Sequence, residues 1–169
     1  MEETKQENLT GQYLTFDLAD EQYAVDVGKV TSVLEMTQIT KVPKTPEFMR
    51  GVINLRGSVV PVIDLRLKFG MSQTEQTQDT SIIVMEIELD GETVVIGALA
   101  DSVHEVIEMD QNQIEAAPKF GTKLDTEFIK GIGKKEEGFL IILDIDKVFT
   151  SDEISAVSKK PIEQSGNEE

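Results

Sequence analysis

The side chains that most often carry out catalysis or bind metals are scarce in this sequence. The chain has one histidine, His104, and no cysteine. His104 lies in a strand-like stretch with Val103 and Val106, with no serine or cysteine motif around it, which favours an ordinary hydrogen-bonded or surface histidine over a catalytic one. Without thiols, disulfides and thiolate metal sites are excluded as well, so stability must come from burial and hydrogen bonding.

Two other patterns could hold a metal or a cofactor, and both are incomplete. Asp144 and Asp146 could approach a metal ion, but further ligands cannot be identified. Gly131 and Gly133 match only the opening of a dinucleotide-binding loop, whose third glycine would fall at position 136. Phosphate-binding lysine loops, serine nucleophile elbows and zinc-binding helices are absent from the sequence. We therefore expect a protein that is not an enzyme and has no cofactor or metal.

One turn places a charged group at the end of a hairpin. The residues NLRG at 54–57 separate two apolar stretches, so Arg56 presents its guanidinium at the tip. The corresponding residues of the second half of the chain, Glu136 and Glu137, carry the opposite charge. Because loop tips are commonly charged, the residues alone favour an ordinary solvated arginine here.

The net charge limits the classes of partner. Thirty-two acidic residues against sixteen basic ones give a formal charge of −16, which repels nucleic acids and anionic lipid surfaces. The N-terminus is polar and acidic, unlike a secretory signal. The longest apolar run, Val94–Ala100, is far shorter than the roughly 20 residues that cross a bilayer. We expect neither nucleic-acid binding nor membrane insertion.

The elements that would position these residues are mostly strands. Short β-branched stretches alternate with turn residues at 13–18, 22–27, 52–55, 59–63, 81–89, 93–100 and 139–143. The segment that follows Val27 predicts one helical turn and then a strand. Asp64 and Asp144 are candidate N-caps of short helices. Pro61 cannot donate to a sheet ladder, which predicts an edge strand or a bulge at that position.

The two halves of the chain repeat one another. Residues 30–36 match 103–109 at an offset of 73 residues, including a shared Glu-Met pair. Residues 48–51 match 128–131, and 59–65 match 139–145, both at an offset of 80. The equal spacing from glycine to aspartate in both halves favours duplication over chance.

Closure into barrels follows from the number of strands. With about five strands per half, an open sheet would leave two edge strands with unpaired backbone groups. We therefore expect each half to close into a barrel and the two β-barrels to pack together. We assign residues 20–80 to barrel 1 and 81–150 to barrel 2, with strand 12–18 as its completion. Together they form one domain over 11–150, flanked by a flexible tail at 1–10 and a C-terminal tail at 151–169.

The motif GVINLRG at 51–57, followed by VPVIDL at 60–65, resembles the signature hairpin of the CheW-like domain. Further similarity covers nearly the whole core, from YLTFD at 13–17 to LDIDK at 143–147. The resemblance implies a mostly β fold of two pseudo-repeated, SH3-like barrels with short helices. It also implies a stand-alone coupling protein, because the tails are too short for the other domains of CheA-type kinases or CheV proteins.

This resemblance implies partners and contact residues. A coupling protein of this family is an adaptor that binds methyl-accepting chemotaxis receptors and the CheW-like regulatory domain of a CheA-type histidine kinase, in cytoplasmic arrays at the membrane. The contact residues carried over are Asn54, Arg56, Gly57, Val27, Val30 and Val33. Each valine is as well explained by the barrel core.

A partner for Arg56 is not evident from the sequence. Family members often place a carboxylate near position 32, where this chain has Ser32, and Glu35 is the candidate substitute. A competing hypothesis is a small-molecule-binding or enzymatic protein with a ligand in the cleft between two lobes.

Overall fold

The computed structural model describes residues 10–116, 128–135, 138–150 and 153–154. The strands are β1 (Thr10–Leu18), β2 (Glu21–Asp26), β3 (Val30–Glu35), β4 (Met49–Leu55), β5 (Ser58–Asp64), β6 (Ser81–Leu89), β7 (Glu92–Ala100), β8 (Ser102–Asp110), β9 (Ile114–Glu115), β10 (Ile129–Lys135) and β11 (Gly138–Leu143). A short helix, α1 (Leu65–Lys68), follows β5, and 3-10 turns lie at Val27–Lys29, Gln111–Gln113 and Ile145–Lys147.

The strands form two curled sheets that pack face to face. One sheet has the order β3-β6-β7-β5-β4, and the other β8-β1-β2-β11-β10-β9. The prediction of a mostly β fold with two pseudo-repeated barrel-like units and short helices is confirmed. Within the described ranges, no helix is long and apolar enough to cross a membrane. The expected tails at 1–10 and 151–169 lie outside the described residues, except for residues 10, 153 and 154.

Each sheet combines strands from both halves of the sequence. The hairpin β6-β7 inserts between β3 and β5, whereas the hairpin β1-β2 inserts between β8 and β11. The sequence-based division at residues 80 and 81 therefore misplaces β6 and β7, which complete the sheet of β3–β5, and β2, which belongs with β8–β11. The reason is the parallel pairing of β5 with β7 and of β11 with β2, which joins the first hairpin of one repeat to the last hairpin of the other.

Matching backbone contacts support the duplication. Asp64 donates its backbone N–H to the carbonyl of Phe48 at 2.7 Å, and Asp144 donates in the same way to Phe128 at 2.7 Å. Both pairs are related by the predicted offset of 80 residues. In each half the register of the last hairpin shifts just before the repeat's glycine, Gly51 in the first half.

Alternation along the strands creates three apolar clusters. In β6, Ile82 and Val84 point into the interior of their own barrel, while Ile83 and Met85 face the other sheet. A third cluster fills the second barrel, and the cluster between the sheets is the largest. Complete burial of one such side chain stabilises the fold by about 1.5–3 kcal/mol. Because both faces of these strands are buried, the sequence reads as nearly continuous apolar runs.

The predicted helix signals are largely confirmed. Val27–Lys29 forms a 3-10 turn directly before β3. The Asp64 carboxylate caps α1 by accepting from the backbone of Arg66 and Leu67, whereas Asp144 occupies the equivalent position without a side-chain cap. The expectation for Pro61 was wrong, since β5 lies inside its sheet. Pro61 is tolerated because the ladder with β7 begins only at the next residue.

Candidate functional site

The turn that carries Arg56 is a two-residue hairpin connection. Leu55 pairs with Ser58 across it, and Arg56 and Gly57 have φ angles of 54° and 88°. Two consecutive positive φ values match the hairpin turns whose twist suits adjacent antiparallel strands. The side chain of Asn54 accepts a hydrogen bond from the backbone N–H of Gly57 at 2.7 Å. Asn54 and Gly57 therefore fix the conformation from which the guanidinium projects.

Arg56 is exposed and available to a partner. It makes no hydrogen bond or ion pair with any residue in the described part of the chain. Glu35, the sequence-based candidate for its carboxylate partner, does not form that ion pair. A guanidinium keeps its charge and presents several donors in one plane, which suits carboxylates and carbonyl oxygens.

Arg56 lines a groove of about 750 Å³, called here the Arg56 groove. Its apolar lining includes Val59, which is 71% exposed, and Val95. Three carboxylates also line it, those of Glu86, Asp90 and Glu92. The groove thus combines exposed apolar surface with one cation and several anions, a combination that suits the side of an amphipathic helix.

The three predicted valines do not join Arg56 in this groove. Val27 and Val30 are half-buried, and Val30 packs against the cluster between the sheets. Val33 is 44% exposed and lies on the outward face of β3. The β3 residue that does line the groove is Thr31, whose hydroxyl donates to the carbonyl of Val84 at 3.2 Å. The structure therefore brings Asn54, Arg56 and Gly57 together in the turn, whereas Val27 lies in the 3-10 turn and Val30 and Val33 lie on opposite faces of β3.

Sequence reasoning missed the groove residues contributed by β5, β6 and β7. One signal was available, because Val59 lies only two residues after the turn glycine, and an apolar residue at a loop edge is seldom needed for the core. Its repeat counterpart, Phe139, is 66% exposed. Val33 and its counterpart Val106 are also both exposed. Val59 with Phe139, and Val33 with Val106, are thus two pairs of exposed apolar residues at matching repeat positions.

The single histidine lies in a polar contact without catalytic geometry. His104 Nε2 is 2.8 Å from Asp17 Oδ2, and Ser102 Oγ donates to the same carboxylate oxygen at 2.9 Å. A serine nucleophile would need this imidazole nitrogen as its base while the second ring nitrogen bonded the carboxylate. Here the aspartate takes the nitrogen that the serine would require, so the three residues fasten β1 to β8.

The paired aspartates near the end of the core serve different contacts. Asp146 accepts from Lys29 Nζ at 2.8 Å and from the backbone N–H of Glu88 at 2.9 Å. The hydrogen bond to Asp146 raises the pKa of Lys29 above its ordinary value. Asp144 lies 3.9 Å from Lys147. Across the described ranges, no three metal-binding side chains cluster together. Asp146 therefore links the two sheets.

The model of the CheW-like domain matches residues 12–153. The chemotaxis protein CheW of Klebsiella aerogenes is 38% identical over 151 residues, covering 89% of each chain. The CheW of Bacillus subtilis is 35% identical over 136 residues, covering 80% of this chain and 84% of that protein.

A solved structure is also similar. The crystal structure of the scaffolding protein TtCheW from Thermoanaerobacter tengcongensis superposes with a TM-score of 0.74 at 40% sequence identity. The similarity covers 85% of this chain and 90% of that one. The fold and the sequence thus point to the same family.

Proposed function

Because the chain belongs to the CheW-like domain family, we propose that it is a non-enzymatic adaptor that couples methyl-accepting chemotaxis receptors to a CheA-type histidine kinase. Its membership makes it a scaffold protein of chemotaxis. The receptor and the kinase are the partners that a scaffold of this kind would bring together. We place it in the cytoplasm, attached to the membrane only through the receptor array.

The observation that carries the proposal is the turn at Asn54–Gly57. Its backbone is fixed by the hydrogen bond from Gly57 to Asn54, while the Arg56 side chain makes no hydrogen bond or ion pair with the described residues. An exposed arginine on a fixed turn, with its donors unused by the described residues, is the type of side chain that anchors a partner. Arg56 would contact carboxylates or carbonyls on a receptor helix. Val59 and Val95 would pack against the apolar face of that helix.

A protein that binds two partners at once needs two contact surfaces. Because the chain is duplicated, its second half can provide the second surface. Phe139 and Val106 expose apolar area on the other half of the molecule, at the repeat positions of Val59 and Val33. The CheW-like regulatory domain of the kinase would bind one half of the molecule while the receptor binds the other. Binding both partners requires only that the two surfaces hold them in the correct relative position, since no covalent bond is made or broken.

Recovery of partners from the source cell tests the proposal. A tagged full-length chain should recover a chemotaxis receptor and a CheA-type kinase together. Arg56→Glu should lose the receptor, because an attractive contact becomes repulsive. Lys147→Glu, the same charge change at another exposed site, should recover both. Failure of the wild-type chain to recover either partner would contradict the function, whereas normal recovery by Arg56→Glu would contradict only the assigned site.

A further inference from the structure

A second cavity differs from the Arg56 groove in charge and position. It has a volume of about 380 Å³ and lies between the segment leading into β4 and the helix α1. Three cationic residues line it, namely Lys41, Lys44 and Arg50, against one acidic residue, Glu47. None of its lining residues belongs to the Arg56 groove. We call it the basic cavity.

The segment that carries the two lysines is held against β4. Thr40 and Val52 exchange backbone hydrogen bonds of 2.9 and 2.8 Å, and Thr45 Oγ1 donates to the carbonyl of Val42 at 3.0 Å. Lys44 itself has a φ of 62°, in the left-handed region that few lysines occupy. The backbone of the segment therefore has a defined shape, from which the two lysine side chains project.

Arg50 is fixed in the wall of the basic cavity. Its Nη1 donates to Asp64 Oδ2 at 3.1 Å and to the carbonyl of Thr74 at 3.4 Å. Asp64 is completely buried, and its carboxylate also accepts from the backbone and hydroxyl of Thr74. The Nε and Nη2 of Arg50 donate to no described residue. One side of the guanidinium is thus anchored while its remaining donors stay free.

The charge of the basic cavity is only partly balanced by its surroundings. Lys41 and Lys44 are exposed and have no ion-pair partner in the described part of the chain. The buried Asp64 offsets Arg50, and Glu47 is the one carboxylate among the lining residues, so the cavity keeps a net positive charge. Two lysines without ion-pair partners beside an anchored arginine, in a chain of net charge −16, favour an anionic occupant.

We propose that the basic cavity binds a carboxylate-rich segment of a partner protein. The alternatives are an anionic membrane and a free phosphate. A membrane surface is extended and would be repelled by the −16 charge of the whole chain. A short acidic segment inserted into the cavity interacts mainly with charges within a Debye length of about 8–10 Å, where the cations dominate. Separate lysines beside an anchored guanidinium suit several spaced carboxylates better than one compact phosphate.

A titration of the isotope-labelled full-length chain with a hexaglutamate peptide at low salt tests this inference. Amide signals of residues 41–50 should shift, and the shifts should weaken as salt is added. Lys41→Glu/Lys44→Glu should reduce the affinity by about tenfold or more. The matched control Lys134→Glu/Lys147→Glu, with equal charge change on the other half, should retain it. If the double glutamate variant does not fold, Lys41→Gln/Lys44→Gln replaces it.

Three results would overturn the inference. The first is an absence of shifts at residues 41–50, and the second is an equal loss of affinity in the control variant. The third is a stronger response of the same amides to inorganic phosphate or to phosphatidylglycerol vesicles. These outcomes are independent of the receptor and kinase experiment, which uses Arg56 and a different surface.

Discussion

The side-chain oxygen of Asn54 accepts a hydrogen bond from the backbone N–H of Gly57, with 2.7 Å between oxygen and nitrogen. This asparagine therefore fixes the shape of the turn that exposes Arg56. Neither Asn54 nor Gly57 has to touch a partner to matter for binding. Their contribution is to reduce the number of conformations from which the arginine approaches its partner.

Asn54→Ala removes the acceptor and should weaken receptor binding although Arg56 is still present. The lost hydrogen bond should lower the free energy of unfolding by about 1 kcal/mol. Asn54→Asp keeps an acceptor and serves as the control. Receptor affinity measured by calorimetry, with urea unfolding of each variant, checks this. Equal affinities for Asn54→Ala and wild type would show that the turn needs no such support.

The exposed repeat residues Val59 and Phe139 should affect different partners. Because both are more than half exposed, Val59→Asp and Phe139→Asp should each change the free energy of unfolding by only about 0.5 kcal/mol. A charge placed in an apolar contact should nevertheless lower affinity for the partner on that half of the molecule. Binding of each variant to purified receptor and kinase fragments measures the effect. Loss of the same partner in both variants would contradict two separate surfaces.

Gly51 should be one of the least replaceable residues of the core. Its φ of 143° is strained for any side chain, and an added β-carbon would overlap the carbonyl oxygen of Thr40. Gly51→Ala should therefore destabilise the fold by about 2–5 kcal/mol, combining strain with overpacking.

Gly57→Ala provides the comparison, since Gly57 also has a positive φ but has open space around it. It should cost only about 1–2 kcal/mol. Urea unfolding of both variants measures the difference. Equal destabilisation would mean that backbone strain alone, and not the contact with Thr40, determines the requirement for glycine at 51.

Stability should fall as the pH rises above 10. Burial, and then the charge of Glu21, raise the pKa of Tyr23 above its ordinary value of 10.0. Above pH 10 the unfolded chain loses this proton while the folded chain keeps it, so the free energy of unfolding decreases as pH rises. Tyr23→Phe should make that decrease shallower.

Urea unfolding at pH 9, 10 and 11 measures the slope for wild type and Tyr23→Phe. Some alkaline loss should remain in both proteins, because the raised pKa of Lys29 gives a stabilisation that is present below 10.5 and disappears as pH rises through the raised value. Identical slopes above pH 10 would show that Tyr23 makes no contribution.

The sequence predicted the strands and the repeat because both depend on local alternation and spacing. It could not assign the hairpins to sheets. Residues such as Ile82 and Ile83 are buried on both faces of β6, so their pattern does not indicate which strand lies beside them. The parallel pairing of β5 with β7 joins residues more than thirty positions apart, and it depends on tertiary packing.

The candidate site was predictable only in part. The turn at Asn54–Gly57 is encoded by consecutive residues and was found. The Arg56 groove combines it with β6 and β7, whose proximity depends on the exchanged hairpin. Lys41 and Lys44 lie in irregular backbone, which has no helix or strand periodicity from which neighbouring side chains could be predicted.

The exchange of hairpins has a consequence for biosynthesis. The strand β2 emerges early, yet its neighbour β11 starts only at residue 138. At about 5–20 residues per second, a ribosome needs roughly 6–22 s to supply that partner. Until then the edge of the β1-β2 hairpin is an open template for other nascent chains. The sheet of β3–β7 has all its strands once residue 100 has been made, whereas the sheet that contains β1 and β2 stays incomplete until residues 138–143 are made.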